Sequence, residues 1–215
     1  MITEIQGQVG PQTGSDGVIM TSRFGKTGEN IVTELHGKYA EQTYRGNVFW
    51  ACMTAGVILP APAATAANPF TLSNPAGSGK NLNLISFDMV ITALPGTPLT
   101  GLYGLYVNTN VVAAPVTGTV ITPLPGLLGS NYQPVGKPFS TSTVPAAPTL
   151  ILPFGFKVTG EVVTANPSPG LPSFHIEFDG KLILSPGASI TPQQTVADTT
   201  NATILCAMCW EEIPV

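Results

Sequence analysis

His175, Glu177 and Asp179 stand at alternate positions of Phe174-His175-Ile176-Glu177-Phe178-Asp179. On an extended strand such positions share one face. All three types bind metals, but a two-histidine, one-carboxylate set needs a second histidine. The other one is His36, far away in the chain. The pattern therefore reads as the polar face of a half-buried strand, toward solvent or an interface. Cys206-Ala207-Met208-Cys209 has CxxC spacing. Redox use wants that spacing at a helix N-terminus after a strand, and a zinc site wants a second pair. On a strand the two thiols point to opposite faces, so they read as small buried hydrophobes. Glu211 and Glu212 are adjacent and also point apart, which rules out a glycosidase pair facing across a cleft.

Asn74-Pro75-Ala76-Gly77-Ser78-Gly79-Lys80-Asn81 resembles a phosphate loop only in outline. The motif wants Gly at the first position and Ser or Thr at the last. Asn74 and Asn81 stand there instead, so the stretch reads as a hairpin loop. No Gly-x-Ser-x-Gly elbow occurs. Asn201-Ala202-Thr203 is a glycosylation sequon, of little meaning without a secretory route. The expectation is a non-enzyme with no catalytic residue, cofactor or metal.

The elements that position these residues read as strands. Phe174 to Leu184 reads as a β-hairpin turning at Asp179-Gly180, a dipeptide that favours the left-handed backbone of tight turns. Gly46 to Leu59 is a first strong strand, ended by Pro60. Phe70–Asn74, Leu82–Ala93 and Leu102–Asn108 follow. On the Leu82–Ala93 strand, Leu82, Leu84, Ser86 and Asp88 fall on one face, and Ile85, Phe87, Met89 and Ile91 on the other. Residues 115–147 are Thr-, Gly- and Pro-rich and read as long loops with one or two short strands. Leu150–Thr164 resumes strand character with a break at Pro153 and Gly155. Ala188–Ile190 and Ala202–Ile213 complete the set. About eight strands at this spacing predict an all-β fold, an antiparallel, jelly-roll-like sandwich spanning 46–215. Residues 1–45 lack periodicity and read as an extended N-terminal arm; one short helix within 29–44 is interrupted by Gly37. Arg23, Phe24, Lys26, Tyr39, Tyr44 and Arg45 are its expected partner-contact residues, because aromatic side chains are costly on a purely solvated tail.

Composition narrows the partners. Charged residues are 9% of the chain and hydrophobic ones 43%, against a usual charged share of about 25%. A free monomer normally keeps soluble through a charged surface, so this chain is expected to hide surface against other chains. Eight basic residues without a cluster do not make a nucleic-acid footprint. No apolar run reaches the roughly 18 residues that suggest a membrane helix. Met1-Ile2-Thr3-Glu4 does not open like a signal peptide. Three cysteines, an odd count, then suit reduced thiols in a cytoplasm.

Separated blocks carry a resemblance. They are Gly7-Gln8-Val9-Gly10-Pro11-Gln12-Thr13, Gly25-Lys26-Thr27-Gly28-Glu29, Gly37-Lys38-Tyr39 with Arg45-Gly46-Asn47-Val48-Phe49, Leu72 to Gly79, and Trp210-Glu211-Glu212-Ile213-Pro214. Together they resemble a recurrent family of tailed-bacteriophage structural proteins. The resemblance implies a virion component, such as a capsid decoration (cement) protein or a head or tail accessory, and no catalytic residues. It fits a homo-oligomer, expected to be a threefold ring, that is assembled in a host cytoplasm and contacts the major capsid protein or another virion protein. Two rival expectations follow from other classes. A receptor- or carbohydrate-binding module would offer Tyr103, Tyr106 or Tyr132 for stacking on sugar. A hydrolase would place His175 or Glu177 in a cleft.

Overall fold

The computed structural model describes residues 37–63, 67–93, 102–109, 116–156, 173–195 and 203–215. Arg23, Phe24, Lys26 and His36 lie outside them, as do Asn201 and Ala202 of the sequon. Packing divides the chain after Glu41, and of the first unit only Gly37–Glu41 is described.

The described residues form one short helix, α1 (Ala40–Tyr44), and twelve strands. The strands are β1 (Val48–Cys52), β2 (Thr71–Ser73), β3 (Lys80–Ala93), β4 (Leu102–Asn108), β5 (Thr117–Val120) and β6 (Leu124–Pro125). Then come β7 (Lys137–Thr143), β8 (Thr149–Phe156), β9 (Ser173–Glu177), β10 (Ile183–Leu184), β11 (Ser189–Gln194) and β12 (Thr203–Pro214). They build two antiparallel sheets. One has the order β10-β3-β12-β1-β6, with β9 also on β3; the other has the order β5-β7-β2-β11-β4-β8. The molecule is an all-β sandwich, as the period-2 runs predict.

Pairings nest from the outside in. The first strand pairs with the last, β1 with β12. Next come β2 with β11, β3 with β9 and β10, and β4 with β8. Between β4 and β8 the chain adds β5, β6 and β7, which extend β1 on one sheet and β2 on the other.

The core lies between the sheets and includes Phe49, Leu72, Leu82, Leu84, Phe87, Leu105, Ile190 and Trp210. Phe49 and Trp210 stack with ring centroids 6.0 Å apart. One expectation about this core is corrected. Strict alternation puts Leu82 and Leu84 opposite Phe87 and Met89, yet all four are buried in one cluster. Cys209 pairs with Ser86 and Trp210 with Leu84, which leaves Ile85 as an extra residue. Such a β-bulge shifts the alternation by one, so both apolar runs of β3 face inward.

The expected hairpin at 174–184 is also corrected. Asp179 and Gly180 do adopt positive φ, 49° and 77°, and the Lys181 N–H donates to the Phe178 carbonyl at 2.9 Å. The turn does not reverse the strand. Glu177 lies opposite Ser86 and Ile183 opposite Asn83, so β9 and β10 are two pieces of one edge strand with a tight kink between them. Asp179-Gly180 makes the tight turn that its residues favour, but β3 offers a better partner to both flanks than they offer each other.

Other strand limits shift for similar reasons. The strand expected to reach Leu59 stops at Cys52; beyond it the Met53 N–H donates to the Cys206 carbonyl of β12, and Val57 bridges to Ile204. The break expected at Pro153 and Gly155 is absent. Among the described strands β8 lies on a sheet edge and pairs with β4 alone, a place where a strand tolerates proline. It absorbs Ile151 and Phe154 as extra residues. Residues 115–147 hold three strands rather than one or two, with loops between them.

Candidate functional site

On β1, Phe49 and Ala51 face the core while Trp50 and Cys52 face outward. Trp50 lies beside Cys209 of β12 and Leu124 of β6. A groove of ≈ 680 Å³ opens here, lined by Trp50, Met53, Val57, Val120 and Leu124, with hydroxyls from Thr119, Thr122, Ser140 and Thr141. No side chain lining it is charged or carries an amide. Trp50 is 43% exposed, Val120 56% and Leu124 57%. Backbone geometry shapes this groove. Thr141 holds φ 52°, unusual for a β-branched residue. Thr117 pairs with Thr143 and Thr119 with Ser140, so β7 carries the extra residue of a bulge there. The bulge turns Ser142 toward Asn68, with which it exchanges two backbone hydrogen bonds at 2.8 Å each. A Cβ on Gly118 would come within 2.8 Å of Ser142 Cα, so glycine is required there.

His175 lies on the open outer face of the first sheet. Its Nδ1 stands 2.6 Å from Asp88 Oδ1 across β9 and β3, and its Nε2 stands 3.5 Å from Glu177 Oε1. The hydrogen bond to Asp88 raises the His175 pKa, helped by the Asp88 charge and then by Glu177. Asp179, expected on the same strand face, sits in the turn instead, because the strand ends at Glu177. The imidazole is more than half exposed, not enclosed in a cleft as a hydrolase would have it. Among the described residues no group of three His, Cys, Asp or Glu is placed to hold a metal ion.

Cys206 points into the core and Cys209 is buried on the other face, the divergence expected of a strand. Burial pushes both thiols up, Cys209 to about 12 with a further push from the Asp88 charge.

The loop that superficially resembles a phosphate cradle is a turn built on Asn74. Its Nδ2 donates to the Lys80 and Leu184 carbonyls at 2.8 and 2.9 Å, and its Oδ1 accepts from Ser78 Oγ at 2.6 Å. Gly77 and Gly79 supply φ of 75° and 71°. Beside it, buried Glu212 accepts the Val135 and Gly136 N–H groups on Oε1 at 2.7 and 2.9 Å. Its Oε2 meets Lys80 Nζ at 3.0 Å. The Glu212 N–H donates to the Asn47 carbonyl at 2.8 Å. Three of the blocks separated in sequence, around Asn47, Asn74–Lys80 and Trp210–Pro214, are thus joined by hydrogen bonds. The sequence does not reveal the hydrogen-bonding roles of Asn74 and Glu212. The available signals were an Asn before Pro and a carboxylate inside the apolar run that ends the chain.

Of the expected contact residues that are described, Tyr44 is 64% exposed, Arg45 is exposed, and Tyr39 is half-buried beneath Lys38 Nζ, 5.2 Å from its ring centre. The sugar platform expected of the rival reading is corrected: Tyr103 and Tyr106 are buried in β4. Tyr132 remains exposed at its rim, with its ring against the Gly46 backbone. Among the described residues no helix is long and apolar enough to cross a membrane. No family model, curated protein or solved structure matches the chain.

Proposed function

We propose that the chain is a non-enzymatic virion structural protein. Its most concrete form is a capsid decoration or cement protein, assembled in a host cytoplasm. It acts as a homotrimer and bridges neighbouring subunits of the major capsid protein. The observation that carries this reading is the nested strand pairing. Eight strand positions pair first with last, second with seventh, third with sixth and fourth with fifth, with β9 and β10 counted as one. This nesting supports reading the sandwich as a long hairpin rolled into a jelly roll, an architecture of viral capsid and lectin domains and of cupins. The charge-poor composition and the uncharged groove support an assembly subunit. The arm's Arg23, Lys26 and Arg45 then serve an acidic patch on the shell. The test is quantitative mass spectrometry of density-purified particles from cells carrying the gene. The expected result is a fixed ratio of this chain to the shell subunit. A chain abundant in the lysate and absent from particles overturns the reading.

Trp50 and Tyr132, both exposed, favour one second reading, a receptor- or glycan-binding module of a fibre. Its test is a glycan array, with binding lost in Trp50→Ala.

A further inference from the structure

Edge strands expose unpaired N–H and C=O groups that invite another strand, and proteins defend them with charge, proline, kinks or short length. Among the described residues the two sheets have four edges, and three of them are defended. The β9/β10 edge is kinked and carries His175, Glu177, Asp179 and Lys181. The β6 edge is two residues long and includes Pro125. The β8 edge contains Pro153 and two register shifts. The fourth edge, β5, reads Thr117-Gly118-Thr119-Val120, with no charge and no proline, and all four residues are exposed. The bulge beside it belongs to β7, so β5 itself runs straight. The apolar groove of Trp50, Val57 and Leu124 lies alongside and shares Thr119 and Val120 with it.

We propose that β5 and the adjoining groove form a self-association surface, in which β5 pairs antiparallel with β5 of a second copy about a twofold axis. Among the described edges only β5 is open to pairing, so it is also the strand a second copy can offer. Both faces are uncharged, so the pairing brings no like charges together. Four residues of strand alone bury too little for a specific contact, which takes on the order of 1,000 Å². The copies must therefore also cover the groove, including the exposed Trp50. A twofold contact is isologous and adds to whatever ring the chain forms.

The test uses the full chain and Val120→Lys, with Leu150→Lys on the β8 edge as a control. Light scattering, tryptophan emission and hydrogen exchange are followed over a hundredfold range of concentration. The expected result is that Val120→Lys halves the mass of the assembly and Leu150→Lys leaves it unchanged. In the unaltered chain, emission shifts to the blue and the β5 amides exchange more slowly as concentration rises. A mass unchanged by Val120→Lys overturns the proposal, and so do β5 amides that exchange at one rate throughout. A halving says nothing of threefold symmetry, which is read from the mass that remains. Failure here therefore leaves the virion reading standing. If a glycan is the true occupant, an array binds the chain and Val120→Lys leaves its mass alone, which also overturns the proposal.

Discussion

Replacing Glu212 by alanine removes one acceptor from two backbone donors at once. The Gly136 N–H is buried and the Val135 N–H is partly so. A buried donor left without a partner costs about 1–3 kcal/mol. The Lys80 ammonium also loses its partner, but its side chain is one-third exposed and can turn to water, so its share is small, about 0–1 kcal/mol. The sum predicts a loss of about 2–7 kcal/mol for Glu212→Ala, which brackets the roughly 3–5 kcal/mol found when one member of a buried ion pair is deleted. That is a large part of a typical domain stability of about 5–15 kcal/mol. Glu212→Gln keeps an oxygen for both N–H groups but gives up the charge and the acceptor that Lys80 uses, so it is expected to cost about 1–2 kcal/mol. Urea unfolding followed by far-ultraviolet circular dichroism measures both, with the slope checked for constancy. A loss below about 1 kcal/mol for Glu212→Ala, or equal losses for the two variants, would refute the view that these hydrogen bonds pin residues 135–136 to the end of β12.

Three further outcomes follow from the geometry. Asp88 favours protonated His175, so the folded pKa lies above the ordinary value, about 6.5. Its contribution to holding β9 is complete below that value and lost as pH rises through the folded pKa. Nuclear magnetic resonance titration is expected to show Asp88→Asn moving the His175 midpoint down, and no movement would contradict the contact. With burial raising Cys206 and Cys209 and Cys52 exposed, a thiol reagent is expected to label only Cys52 rapidly in the folded chain and all three after unfolding. Thr141→Gly relieves a left-handed backbone at the cost of a more flexible unfolded chain, for a net gain of about 1 kcal/mol in urea unfolding; a loss would place the strain elsewhere.

The strands were legible where an apolar, β-branched or aromatic run is bounded by turn residues, and such runs mark β3, β4 and β12 almost to the residue. What failed was information that no local window contains. Asp179-Gly180 announces a tight turn, but whether its flanks pair with each other depends on β3, which lies far away in sequence. The bulge at Ile85 leaves apolar residues in both phases, and only the partner strand shows that the phase switches. Glu212 looks like a surface carboxylate until Lys80 and the 135–136 backbone are brought beside it. Tyr103 and Tyr106 look like exposed aromatics until β4 is placed inside a sheet, between β11 and β8. The groove around Trp50 was half legible: strand alternation turns Trp50 away from the core, but β5 and β7 supply the other wall through a bulge at Thr141 that periodicity does not reveal.

The central claim is that a chain this poor in charge hides its uncharged surface against other chains. Light scattering on the full chain during size-exclusion chromatography tests it most directly. The expected mass is that of several chains and persists on dilution into the micromolar range. A single chain, soluble and monodisperse at every concentration, would contradict it.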